Sequence, residues 1–139
     1  VTDKDDNVLK GKARQAGDVD KALEASAAKI EGTYSLPEIS HSCLESHGMV
    51  AEWKEDKLRV WASTQATQNV AADLAKEFKI PPTNVKCITH HMGGGFGSKF
   101  NAGVEGIACA HLAKIAGRAV RLMLDRREEH SAGIRPSAH

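Results

Sequence analysis

Four glycines within five residues, Gly93-Gly94-Gly95-Phe96-Gly97, divide this chain at a point that neither a stable helix nor a strand can cross. The run sits between two patterned segments. Before it, VKCITH (85–90) is rich in β-formers and reads as a strand. After it, Val104, Ile107, Ala108, His111, Leu112 and Ile115 follow helical spacing, with Gly117 where a C-cap belongs. Between a strand and a helix, successive glycines let backbone N–H groups approach and cradle an anion that also feels the helix N-terminus. Two phosphate motifs are excluded: the order is G-S-K rather than G-K-[ST], and Ser98 stands where G-x-G-x-x-G needs its third glycine. The competing reading is a flexible loop whose glycines serve tight turns.

The flanking pattern predicts the fold class. Asp18 is a candidate N-cap for a helix through about Ala28, with Val19, Ala22 and Leu23 on one face. Ile30, Gly32, Tyr34 and Leu36 alternate with polar residues up to Pro37, which predicts a strand. GMVAEW (48–53) and LRVWAS (58–63), joined by Lys54-Glu55-Asp56-Lys57, predict an antiparallel hairpin with a four-residue turn. Val70, Leu74 and Phe78 lie on one face of a helix stopped by Pro81-Pro82, and AVRLML (119–124) is the last strand. The expected fold is α+β, a two-layer α/β sandwich with a mixed sheet and a ββαβαβ core after a helix–strand lead-in. Residues 1–17 read as a linker, 18–125 as the domain and 126–139 as a polar tail, with Arg126-Arg127-Glu128-Glu129 a solvated charged face.

Composition narrows the function classes. With 139 residues the chain can bury about two thirds of its unfolded surface without staples. Its three cysteines, Cys43, Cys87 and Cys109, show no CxxC spacing and read as mostly buried, reduced thiols. Nineteen basic against 18 acidic residues give no electrostatic case for nucleic acid, and no apolar run approaches the ~18 residues of a membrane span. The start VTDKDDNVLKGK has no apolar h-region and begins with Val1, so the chain reads as a piece of something longer.

Two further clusters carry polar chemistry. Ser63-Thr64-Gln65 ends the second hairpin strand just before a helix, where α/β proteins place ligand-contacting groups. Gln65 can donate and accept at once, which suits an oxo or carbonyl ligand, while Ser63 or Thr64 can instead cap the helix. His41, Cys43, Glu45 and His47, with Cys87, His90 and His91, invite a zinc reading, but no spacing matches a Cys₂His₂ or HExxH pattern. Satisfied polar residues are the better account, and Glu45 with a histidine is a candidate acid–base couple only by proximity.

Four blocks, His41-Ser-Cys-Leu-Glu-Ser-His-Gly48, Val60-Trp-Ala-Ser-Thr-Gln65, Gly93-Gly-Gly-Phe-Gly-Ser-Lys99 and Gly117-Arg-Ala-Val-Arg-Leu-Met-Leu-Asp-Arg126, stand in register. Together they resemble the molybdopterin-binding large subunit of the molybdenum hydroxylases, the xanthine dehydrogenase and aldehyde oxidase family, over residues 18 to 136. The resemblance implies that Gln65 hydrogen-bonds at the molybdenum centre and that Gly94, Gly95, Phe96 and Gly97 approach the pterin and an oxo ligand. It implies a molybdopterin cofactor, expected in its cytosine dinucleotide form. It implies hydroxylation with water-derived oxygen, electrons leaving through [2Fe–2S] clusters on a partner subunit.

Other expected partners are the remainder of the large subunit, a FAD subunit or cytochrome acceptor, and a small-molecule substrate. Phe100 stands where xanthine-specific members carry a glutamate, so the resemblance favours an aldehyde or aromatic N-heterocycle over a purine. The family's base glutamate and its arginine-bearing substrate loop are expected beyond His139. No catalytic residue is therefore assigned here, and the chain alone is expected to be inactive. The compartment stays open between bacterial cytoplasm and periplasm. A stand-alone phosphate- or nucleotide-binding module using Gly93–Gly97 and a non-catalytic subunit-interaction domain are the competing readings.

Overall fold

The computed structural model describes residues 14–37 and 39–131 of the chain. Most of the expected 1–17 linker and residues 132–139 of the expected tail lie outside them. The chain divides into two compact units, residues 1–34 and 35–139. In the first, α1 (Val19–Ala25) starts where Asp18 accepts a hydrogen bond from the Lys21 amide at 3.1 Å, and buries none of its residues.

The second unit carries β1 (Gly48–Lys54), β2 (Lys57–Ala62), α2 (Thr67–Phe78), β3 (Val85–Ile88), α3 (Gly103–Ala116), β4 (Val120–Met123) and α4 (Arg126–Glu129). This is the expected ββαβαβ order with one short helix added. The four strands form one mixed sheet in the order β3-β2-β1-β4, with β2 and β3 parallel and the other pairs antiparallel.

Strand alternation decides which residues meet the helices. Met49 and Ala51 of β1, Leu58, Val60 and Ala62 of β2 and Val85 of β3 are buried with Val70 and Leu74 of α2 and Cys109, Ala110 and Ala113 of α3. Small residues on α3 allow close approach to the sheet: a Cβ at Gly106 would overlap the Met49 methyl. Trp53 fixes the contact by donating from Nε1 to the Ala110 carbonyl at 2.9 Å and meeting Phe78 edge-on. Gly117 takes the left-handed C-cap conformation, φ +61°, as its position after the helical pattern predicts.

Three expectations are corrected. Lys54 pairs with Lys57, so the hairpin loop is two residues, with Glu55 at φ +56°, rather than four. No strand forms over residues 30–36. Ile30, Tyr34 and Leu36 are 93%, 81% and 60% exposed, and only isolated bridge positions occur, at Leu36 and Ile39. Alternation marks a strand only where a neighbouring strand exists to pair with it. Residues 126–129 are a solvated face only in part: Arg126, Arg127 and Glu128 are exposed, Glu129 is not. They form α4, started by a reciprocal capping box between Asp125 and Glu128, and Glu129 is 1% exposed.

A donor-lined glycine turn as candidate functional site

Tertiary structure brings three chain segments to the glycine run. Cys43–His47 leads into β1, Ser63-Thr64-Gln65 follows β2, and α4 returns after β4. Gly94, Phe96 and Gly97 all have positive φ, +99°, +51° and +98°, and Ser98 closes the turn by donating from its amide and hydroxyl to the Gly95 carbonyl at 2.9 and 2.8 Å. Among the described residues, the amides of Gly94, Gly95 and Phe96 meet no protein acceptor. Successive unpaired N–H groups in a turn of this kind make an anion-binding concavity.

Gln65 closes against this turn. Its Oε1 accepts from the Gly97 amide at 3.0 Å and the Lys99 amide at 3.4 Å. Two backbone donors on one side-chain oxygen fix which way the carboxamide points, so Nε2 remains as a donor. The sequence-based view that Gln65 offers a ligand both roles is therefore corrected: its acceptor is spent on the turn. Gly95 must lack a side chain, since a Cβ there would stand 2.6 Å from Gln65 Cδ. Phe96 is 73% exposed and Phe100 44% exposed.

Neither Ser63 nor Thr64 caps α2, whose first turn has no side-chain cap. Thr64 Oγ1 instead accepts from the Ala66 amide at 3.0 Å and donates to the Lys99 carbonyl at 2.9 Å, while the Gln65 amide donates to that same carbonyl at 2.8 Å. Among the described residues Glu45 is bound to no histidine: its Oε2 accepts from the Gly93 amide at 2.6 Å and Ser63 Oγ at 3.0 Å. His47 finds its carboxylate on α4. Glu129 Oε2 lies 2.8 Å from His47 Nδ1 and accepts the His47 amide at 2.7 Å, while Nε2 faces the Ser98 carbonyl at 3.2 Å. Burial alone would raise the Glu129 carboxyl pKa, but the His47 contacts and the Lys99 charge outweigh it and hold the group below its ordinary value.

Among the described residues, no group of three or more histidine, cysteine or acidic side chains could hold a metal ion. All three cysteines are free thiols, and burial pushes the Cys87 thiol up to about 11 and raises that of Cys109. A groove of about 1000 Å³ lies beside the turn, between the start of α3, β4 and α4, and shares Ser98 with it, but Gln65 and Gly94–Gly97 do not line it. The donor turn is a surface feature of this fold. Lys99 and Glu129 are the residues the sequence did not single out, and for Glu45 it suggested the wrong partner. For α4 a signal existed, since Asp125-Arg126-Arg127-Glu128 has capping-box spacing.

Residues 1–137 match the family model described as the molybdopterin cofactor-binding domain. The chain belongs to that family. The domain is 38% identical over 113 residues, 81% of its length, to the aldehyde oxidoreductase molybdenum-binding subunit PaoC of Escherichia coli (strain K12). It is 32% identical over 124 residues, 88% of its length, to the xanthine dehydrogenase molybdenum-binding subunit of Escherichia coli O157:H7. Among solved structures it resembles quinoline 2-oxidoreductase from Pseudomonas putida 86, with TM-score 0.69 and 28% identity over 81% of the domain. The domain spans only 15%, 16% and 14% of those three chains. Among the described residues no helix is long and apolar enough to cross a membrane.

Proposed function

We propose that this domain forms one wall of the molybdenum–pterin site in a larger oxidoreductase, with Gln65, Gly94, Gly95, Phe96 and Gly97 as its cofactor-binding residues. One observation carries the reading: among the described residues the amides of Gly94, Gly95 and Phe96 meet no protein acceptor and lie beside Gln65, whose Nε2 remains as a donor. Such a set of donors suits the oxo and phosphate oxygens of a molybdopterin. Because Gly95 has no Cβ, the Gln65 carboxamide can lie against the turn and hold its Nε2 there.

When bound, the cofactor supplies the redox chemistry, accepting electrons from a substrate carbon and passing them on. The domain's own residues bind and orient. Gln65 is held by two backbone donors, so its Nε2 costs little reorganisation on meeting a ligand oxygen. The nearby carboxylates of Glu45 and Glu129 are already engaged behind the turn, so the acid–base group of the reaction comes from another segment of the large subunit. Half-exposed Phe100 offers an apolar face near the turn, which favours an aldehyde or aromatic N-heterocycle as substrate. The pterin is in its cytosine dinucleotide form, and electrons pass to [2Fe–2S] clusters on a partner subunit.

Metal analysis of the full-length protein tests this. Gly95→Val and Gln65→Ala should each lower bound molybdenum and pterin severalfold while leaving the far-ultraviolet spectrum unchanged. Full loading of both variants would sink the assignment. Micromolar binding of free nucleotides to the cofactor-free protein, lost in Gly95→Val, would point instead to a general phosphate-binding module.

A further inference from the structure

Among the completely buried side chains, the largest is a lysine: Lys99, the second residue after the glycine run, is 1% exposed. Its ammonium runs behind the turn and donates to the Glu45 carbonyl at 2.7 Å and to Ser63 Oγ at 2.6 Å. Among the described residues no carboxylate forms an ion pair with it, although its charge is felt at Glu129. Burying a cation on neutral acceptors is costly unless those acceptors are themselves polarised by something negative.

Ser63 provides that link. Because its oxygen accepts from Lys99, the hydroxyl proton turns to Glu45 Oε2 at 3.0 Å, and that same carboxylate oxygen accepts from the Gly93 amide at 2.6 Å. A continuous chain of hydrogen bonds therefore runs from buried cation through hydroxyl and carboxylate to the first amide of the glycine run, each bond strengthening the next. The other end is held by Gln65, whose Oε1 accepts from the backbone amides of Gly97 and Lys99 and not from the Lys99 ammonium.

We propose that Lys99 is a positioning residue for the donor turn: acting through Ser63, its charge fixes the Glu45 carboxylate on the Gly93 amide and so sets where the turn begins. Its relevance to ligand binding rests on the function proposed above, but the relay itself does not require it. Lys99 acts from behind the turn. Ser63 tunes the link, since removing its hydroxyl leaves both charges and the Lys99 bond to the Glu45 carbonyl in place but breaks the path to the Glu45 carboxylate.

Hydrogen exchange resolved to single amides in the cofactor-free full chain tests the relay. Ser63→Ala should speed exchange at Gly93 roughly tenfold, the loss of about one charge-assisted hydrogen bond, and leave Gly97 unchanged. Ser63→Thr, which returns the hydroxyl, should restore protection. Lys99→Met should reproduce Ser63→Ala, and if it fails to fold, the two Ser63 variants decide alone. Equal acceleration at Gly93 and Gly97, or none at Gly93 in Ser63→Ala, overturns the proposal. Molybdenum content of the loaded protein separates the two claims: a loosened Gly93 with full loading in both Ser63→Ala and Gln65→Ala keeps the relay and removes the proposed function.

Discussion

Gln65 and Gly95 form an interlocked pair in which one residue is useful because the other has no side chain. Even a methyl group at Gly95 must displace the carboxamide, so Gly95→Ala should lose molybdenum while its melting temperature falls by only a few degrees, as differential scanning calorimetry would read. Glu129 is a second residue whose role follows from its partners. Its pKa in the fold is depressed, so its contribution is fully present above its ordinary value of 4.5 and is lost as pH falls through the lower folded value. Stability measured by denaturant titration should therefore decline for the native protein as pH drops below about 4.5, whereas Glu129→Gln should be less stable at pH 7 and flatter across the acid range. Glu129→Ala, which leaves His47 buried without its partner, should cost about 3 kcal/mol. An acid profile of Glu129→Gln parallel to the native one would refute this account.

At the scale of elements, periodicity was legible where an element buries one face within the fold. Val70 and Leu74, four residues apart on α2, are both fully buried, and Leu74→Ala should destabilise by about 3 kcal/mol by leaving a cavity in the core beneath the sheet. The C-terminal end of α3 depends on backbone conformation instead. Gly117 sits at φ +61° with open space around it, so Gly117→Ala should cost about 1 kcal/mol, and Gly117→Asn less, in thermal unfolding. Where sequence reading failed, the missing ingredient was a partner. The alternation from Ile30 to Leu36 found no strand to pair with, while the charged Arg126–Glu129 found several: Arg126 donates to the Cys43 and Leu44 carbonyls at 2.5 and 2.8 Å. Those contacts span more than 80 positions of chain, beyond the reach of any local pattern.

Across the whole molecule, apolar surface is left uncovered. Val104, Leu112 and Ile115 of α3 point outward at 84%, 47% and 82% exposure, and Leu44 and Phe96 are exposed at 89% and 73%. A helix that is apolar on nearly all sides belongs between two layers rather than on a surface. Expressed alone, the 139-residue chain should self-associate with rising concentration in sedimentation velocity, and Val104→Glu with Ile115→Lys should restore a monomer. A monodisperse native chain at high concentration would refute this.

The strand and helix order of the sheet-bearing unit and the backbone freedom of the Gly93–Gly97 run are readable from the amino-acid order. Both follow from local chemistry: side-chain periodicity and the freedom of residues without a Cβ. Tertiary structure alone decided that Gln65 spends its oxygen on the turn, that Lys99 and Glu45 meet behind it, and that Glu129 leaves solvent for His47. Each of these depends on desolvating polar groups against partners distant in the chain, and burial of that kind is a property of the folded whole.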